Sequence, residues 1–374
     1  MMPRHRVLFV LILAVIACCV FGSFASEAPN RLVSGQPILL WQADQTTCLW
    51  LALLAASLLF LSFLPGVRGP GVAALILSGG TLLLLIFTAG HIATSLMGGG
   101  PPAKRVSLDW AFWASGFGLA MIVVDALQRL RASRLLTFAV AVIIIGSIVA
   151  FAWSGAFDSV SVAREYAARQ SEFGAALGQH CLLVAIAVVL AVMIGAPLGL
   201  YVARRPQHSA GIFGVLNLLQ TIPSVALFGL LIAPLSALGV GGIGAVPAII
   251  ALVLYSLLPV VRNTEAGISG IESGVMDAAR GMGLTSTQIL WRIELPLGMP
   301  TFLAGLRIVT VQAIGLTIVA ALIGAGGLGT FVFLGIGQYA TDLVLLGALP
   351  TIALALAADF ILAQLAAFFA RSHA

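Results

Sequence analysis

Ten apolar runs, each long enough for a spanning helix, divide the chain near residues 7–25, 48–64, 71–97, 110–127, 135–153, 181–203, 211–238, 244–261, 299–324 and 343–369. A helix crosses hydrocarbon with about 20 apolar residues. The pattern therefore predicts an all-α polytopic membrane protein of about ten transmembrane helices. Charge agrees. Only 8% of the residues are Asp, Glu, Lys or Arg, against roughly 25% in a soluble domain, which must wet its whole surface. The run at 211–238 contains Pro223 and Pro234, so it is expected to be kinked or partly re-entrant.

Lys and Arg in alternate connections fix a direction. With the N-terminus inside, twelve fall on the cytoplasmic side and five outside, namely Arg31, Lys104, Arg105, Arg164 and Arg169, with Arg307 inside a span. That asymmetry follows the positive-inside rule and places both termini in the cytoplasm. The opening "RHRVLFVLILAVIACCVFGSFAS" reads either as an uncleaved first helix or as a secretory signal, with a lipoprotein-like site at Cys18. The spans that follow favour the uncleaved helix; cleavage would leave the new N-terminus outside.

Several function classes drop out. The net charge of +5 comes from arginine, with Lys104 the only lysine, and reports orientation rather than a nucleic-acid partner. Cys18, Cys19, Cys48 and Cys181 form no CxxC pair, so neither a disulfide framework nor a metal site is suggested. His5, His91, His180, His208 and His373 are scattered without ligand spacing. A P-loop ends in Gly-Lys-Ser/Thr, whereas Lys104 stands between Ala103 and Arg105. The chain is expected to hold no cofactor and to hydrolyse no ATP itself.

The organisation expected is a membrane region of about five helices at 1–153, an outer connection at 154–180, and a core at 181–374. "SVAREYAARQSEF" in the connection reads as an interfacial helix. The core is interrupted by a polar cytoplasmic insert at 263–298. In it, "SGIE" (269–272) and "TSTQ" (285–288) place Ser or Thr three residues before Glu or Gln, the capping-box pattern of a helix start. Gly283 suits the end of the first helix, Pro296 the end of the second, and Pro300 the first turn of the ninth span. Ala278 and Ala279 allow close approach, while Met276, Met282, Ile289 and Ile293 offer apolar contacts. On physical pattern alone, two readings stand: a knob for a groove on a soluble protein, or a hairpin resting on lipid headgroups.

The spacing adds to this. Asp277, Ala278 and Ala279, then Gly283 four residues later, then Ile293, Leu295 and Pro296 resemble the "EAA…G………I.LP" signature of bacterial ABC importer permeases. Asp replaces the usual first Glu, keeping the carboxylate and shortening its reach. "LQTIPSVALFGLL" (219–231), "ELPLGMPTFLAGLRIVTVQAIG" (294–315) and "AALIGAGGLG" (320–329) resemble the glycine betaine, carnitine and choline branch, over roughly 170–370. The five N-terminal runs with "APNRLVSG" (28–35) resemble a longer osmoprotectant subgroup. The resemblance implies a type I importer permease core preceded by five extra helices, in a bacterial inner membrane. It implies that 263–298 is a coupling segment seated in an ATPase subunit, which binds ATP and Mg. It further implies a second permease, identical or related, and a solute-binding protein delivering an osmoprotectant such as glycine betaine or choline for alternating access. The competing classes are a proton- or sodium-coupled transporter, which predicts inverted repeats not visible here, and a non-transporting receptor or scaffold.

Three further groups are candidates. Gln220, Thr221 and Ser224 beside Pro223 either line a pathway or satisfy the kink. Gly324, Gly326, Gly327 and Gly329 form a turn suited to close packing or gating. Arg307 and Asp359 are ionisable residues within spans, which are costly without a partner; their similar depth suggests an ion pair acting as a strut, with a proton relay as the rival reading. The six tryptophans mostly flank apolar runs and read as interfacial anchors.

Overall fold

Each apolar run folds mainly as helix, although the first passes into a strand at Ser23 and the seventh breaks between Thr221 and Ser224. The computed structural model describes residues 4–30, 33, 35–66, 68–98, 101 and 103–371; Arg31 and His373 lie outside them. The chain divides into one unit of residues 1–168 with 338–342, and a second of 169–337 with 343–374.

The first unit contains α1 (Arg6–Phe21), β1 (Ser23–Ala28), β2 (Gln36–Leu39), α2 (Leu40–Ala43), α3 (Gln45–Leu61), α4 (Arg68–Met97), β3 (Arg105–Leu108), α5 (Trp110–Arg129), α6 (Arg134–Trp153) and α7 (Ser161–Ala168). The second contains α8 (Gln170–Arg204), α9 (Ser209–Thr221), α10 (Ser224–Ala237), α11 (Ala245–Ser269), α12 (Ser273–Gly281), α13 (Ser286–Ile289), α14 (Leu295–Ala320), α15 (Gly329–Gly337) and most of α16 (Thr341–Arg371).

Among the described residues, seven helices are long and apolar enough to cross a membrane. The α9–α10 pair, bent by 100°, makes an eighth if counted as one span. On length alone, the ten expected spans become seven or eight. The two remaining runs are α1 and α3, of 16 and 17 residues. At 1.5 Å per residue they rise about 24–26 Å, short of a hydrocarbon core of about 30 Å.

The first unit departs from an all-α reading. Three separated segments form an antiparallel sheet in the order β2-β1-β3, with Ser26 opposite both Pro37 and Ser107. Phe24 is fully buried beneath the sheet and meets Phe112 edge-on at 5.7 Å. Lys104 Nζ lies 2.8 Å from Glu27 Oε1, and Arg105 Nη2 lies 3.2 Å from the buried Glu165. The polar connections thus satisfy their backbone groups by pairing with one another. Residues 161–173, expected as one interfacial helix, are split at Arg169 between α7 and the start of α8. Ile12, Leu58, Leu85, Ile92, Leu119 and Ile122 form the core below.

The second unit is organised around α11, which is buried along much of its length and packs between α8 and α14. Its contact with α14 is backbone to backbone at Gly267 and backbone to side chain at Gly305. A Cβ on Gly267 would stand 2.9 Å from the Gly298 carbonyl oxygen, and one on Gly305 would stand 2.3 Å from Asn263 Cβ. Only glycine permits this approach. The chain between 270 and 294 therefore leaves and re-enters the unit through two helices already in contact.

Candidate functional site

Within the polar insert expected at 263–298, α11 runs on to Ser269, with Gly270 N–H bonding Ala266 O at 3.0 Å. The expected capping box at 269–272 does not form. Ser269 is still helical, and Glu272 takes the N-cap of α12 without a side-chain bond. The end of α12 matches expectation: Gly283 has φ +78°, its N–H bonds Arg280 O at 2.9 Å, and Leu284 N–H bonds Ala279 O at 3.2 Å. These two bonds define the Schellman motif, which favours glycine at the left-handed position. Thr285 then starts α13 with a complete capping box, in which Thr285 N–H donates to Gln288 Oε1 at 2.8 Å and Gln288 N–H to Thr285 Oγ1 at 3.4 Å.

Pro296 does not stop the second helix. Residues 290–294 widen into a π turn, closed by Leu295 N–H on Leu290 O, and α14 follows directly. A proline ring clashes with the carbonyl four residues earlier and brings no N–H; the wider turn relieves both problems at Pro296. Pro300 accordingly lies inside α14 rather than in the first turn of a new helix. Glu294 is buried at 6% exposure within the π turn, where Arg204 Nη2 donates to its Oε2 at 3.0 Å. This bridge ties the turn to the end of α8.

Burial separates anchor from display. Ala279 and Ile289 are buried, so Ile289 is an anchor and not a free contact, while Met282 is 73% exposed. The Asp277 side chain is 72% exposed, with Arg280 Nη1 at 3.5 Å. Ala278 is exposed, and Met276, Ile293, Leu295 and Pro296 are half-buried.

At the 100° bend, α9 stops at Thr221 and α10 starts at Ser224 behind Pro223. Gln220 Nε2 donates to Tyr255 O at 2.8 Å, Thr221 Oγ1 donates to Leu218 O at 2.7 Å, and Tyr255 Oη donates to Ile222 O. Gln220 and Thr221 are thus engaged with backbone at the break. At the glycine turn, Gly324, Gly326 and Gly327 have φ of +77°, +76° and +78°. Gln179 Nε2 donates to Ala325 O at 2.7 Å, and a Cβ on Gly326 would meet Gln179 Oε1 at 2.4 Å. The turn is packed against α8, with the fully buried His180 beside Gly327. Arg307 holds both carboxylate oxygens of Asp359, through Nε to Oδ1 and through Nη2 to Oδ2 at 2.6 Å.

Tyr255, Pro259, Gln179 and the Arg204–Glu294 bridge are not among the residues expected from the sequence. Only Pro259 carried a local signal: a proline inside a span frees the carbonyl four residues earlier. Among the described residues, no cluster of His, Cys, Asp and Glu could hold a metal ion.

Comparison with known proteins agrees with this architecture. Residues 3–163 match the family "ABC transporter permease YehY, N-terminal domain", and residues 195–371 match "Binding-protein-dependent transport system inner membrane component". The chain is 43% identical to the osmoprotectant import permease protein OsmW of Salmonella typhimurium, over 50% of its own length and 86% of that protein. It is 39% identical to the carnitine transport permease protein OpuCB of Listeria monocytogenes, covering 50% and 83%. To the choline transport system permease protein OpuBB of Bacillus subtilis it is 38% identical, covering 50% and 82%. The chain belongs to the family of binding-protein-dependent transport system inner membrane components, in which it carries a YehY-type N-terminal domain.

Proposed function

We propose that this chain is the permease subunit of an ATP-driven importer that moves an osmoprotectant of the glycine betaine, carnitine or choline kind by alternating access. The observation that carries the reading is the exposed α12–α13 segment, with Asp277 at its surface, held between two helices in backbone contact. Such a segment is shaped to be pushed. ATP and Mg belong to a partner ATPase that seats residues 273–289. One chain supplies one such segment, so a second permease, identical or related, completes the transporter, and a solute-binding protein delivers the cargo. The segment and both termini face the cytoplasm of a bacterial inner membrane. All ten apolar runs are embedded, α1 and α3 being accommodated by local bilayer thinning.

In this reading the ATPase closes two coupling segments together, and α11 and α14 carry the displacement to the bend near Gln220, Thr221, Pro223 and Ser224. That bend and the glycine turn at 324–327 border the pathway. The Arg307–Asp359 pair is a strut between α14 and α16. Purification of the tagged chain from its own host, with radiolabelled solute uptake measured alongside, tests the proposal. An ATPase that co-purifies, and whose inactivation abolishes uptake, supports it. Uptake that persists without the ATPase and collapses with the proton gradient would instead make this a secondary transporter. Competition by unlabelled betaine, carnitine and choline identifies the cargo.

A further inference from the structure

Tyr255 lies in α11, the helix that leads into the coupling segment. Four residues later comes Pro259, which has no N–H to offer the Tyr255 carbonyl. Tyr255 is buried, so water does not replace that donor. Gln220 Nε2 replaces it from α9, at 2.8 Å. The opposite need exists across the gap. Ile222 is extended, with ψ 125°, and stands before Pro223, so its carbonyl has left the helical ladder. Tyr255 Oη donates to that carbonyl. The bend in one element and the proline in its neighbour thus complete each other through a single tyrosine and a single glutamine. One turn further, Asn263 Nδ2 donates to Pro259 O at 2.8 Å, at the point where Gly305 of α14 touches Asn263.

We propose that Tyr255 and Gln220 are positioning residues that lock the α9–α10 bend to α11, so that displacement of the coupling segment is delivered to the bend. The inference rests on the proposed function and adds its transmission step. Sliding α11 past the bend would take the donor from two carbonyls, one of them on the buried Tyr255; the two elements therefore move together. Side-chain bonds that merely filled vacant carbonyls would stabilise the fold without carrying motion, and the two roles separate experimentally.

The test uses the complete transporter in proteoliposomes and reads solute moved per ATP hydrolysed, with ATPase co-purification and thermal melting measured in parallel. Tyr255→Phe keeps the ring and removes the Ile222 bond. It is expected to retain the ATPase and ATP hydrolysis while the transport ratio falls about fivefold or more, the lower range of measured coupling between sites. Gln220→Leu lowers both melting temperature and ratio. Pro259→Ala returns a backbone N–H to the Tyr255 carbonyl, so Gln220→Leu/Pro259→Ala is expected to regain melting temperature while the ratio stays low. A wild-type ratio in Tyr255→Phe overturns the inference, as does a double variant that regains the ratio together with stability. A Gln220→Leu variant that raises only the KM for solute makes Gln220 a cargo contact and also overturns it. Absence of an ATPase from the purified wild-type complex overturns the proposed function itself, and this inference with it.

Discussion

At Gly283 the chain holds φ +78°, a region that costs an L-residue with a Cβ about 1–2 kcal/mol. Gly283→Ala should unwind the end of α12 and turn Asp277 away from its displayed position, lowering uptake about tenfold if the full cost falls on docking. Normal uptake by this variant, at wild-type membrane abundance, would mean that the Schellman turn has no part in transport. Asp277→Arg reverses the charge at a site 72% exposed, so folding should survive while the ATPase is lost from the purified complex. For the intramembrane pair, Arg307→Ala and Asp359→Ala should each lower the melting temperature, because each strands one charge. The swap Arg307→Asp/Asp359→Arg should recover most of it. A strut accepts that exchange; a proton relay does not. Asp359→Asn should leave uptake ATP-dependent and indifferent to the proton gradient.

Helical elements were legible where local chemistry decides them. Thr285 and Gln288 form the expected capping box because three residues of spacing bring each side chain to the other's backbone N–H. Thr285→Ala should cost about 1 kcal/mol of local stability, visible as faster amide exchange over 286–289 with α12 unaffected. Ser269 and Glu272 carry the same pattern and fail, because α11 runs on through Ser269 and leaves its hydroxyl inside a helix. Pro296 misled for a related reason: a π turn absorbs the ring and lets α13 continue into α14. The sheet was not legible at all. Its strands are short, come from two separated connections, and are defined by each other rather than by an alternating pattern along any one of them. Arg307 and Asp359 were legible as partners since an intramembrane charge demands one. Gln220 was legible as lining a pathway or satisfying the kink; its acceptor was not, because that depends on Pro259, 39 residues away in the chain.

For the whole molecule, the decisive arrangement is a polar segment emerging between α11 and α14, whose backbones touch at Gly267 and Gly298. In the proposed function, this close approach lets force applied at α12–α13 enter the second unit through both helices. Gly267→Leu should prise the two apart and abolish uptake even where the chain still reaches the membrane. Seating in a cytoplasmic ATPase requires the segment to face the cytoplasm. With Cys18, Cys19, Cys48 and Cys181 replaced by serine, a cysteine at the exposed Ser286 can be probed with a membrane-impermeant maleimide. Protection in intact cells and rapid labelling in inverted membrane vesicles is the predicted result, and labelling in intact cells would contradict it.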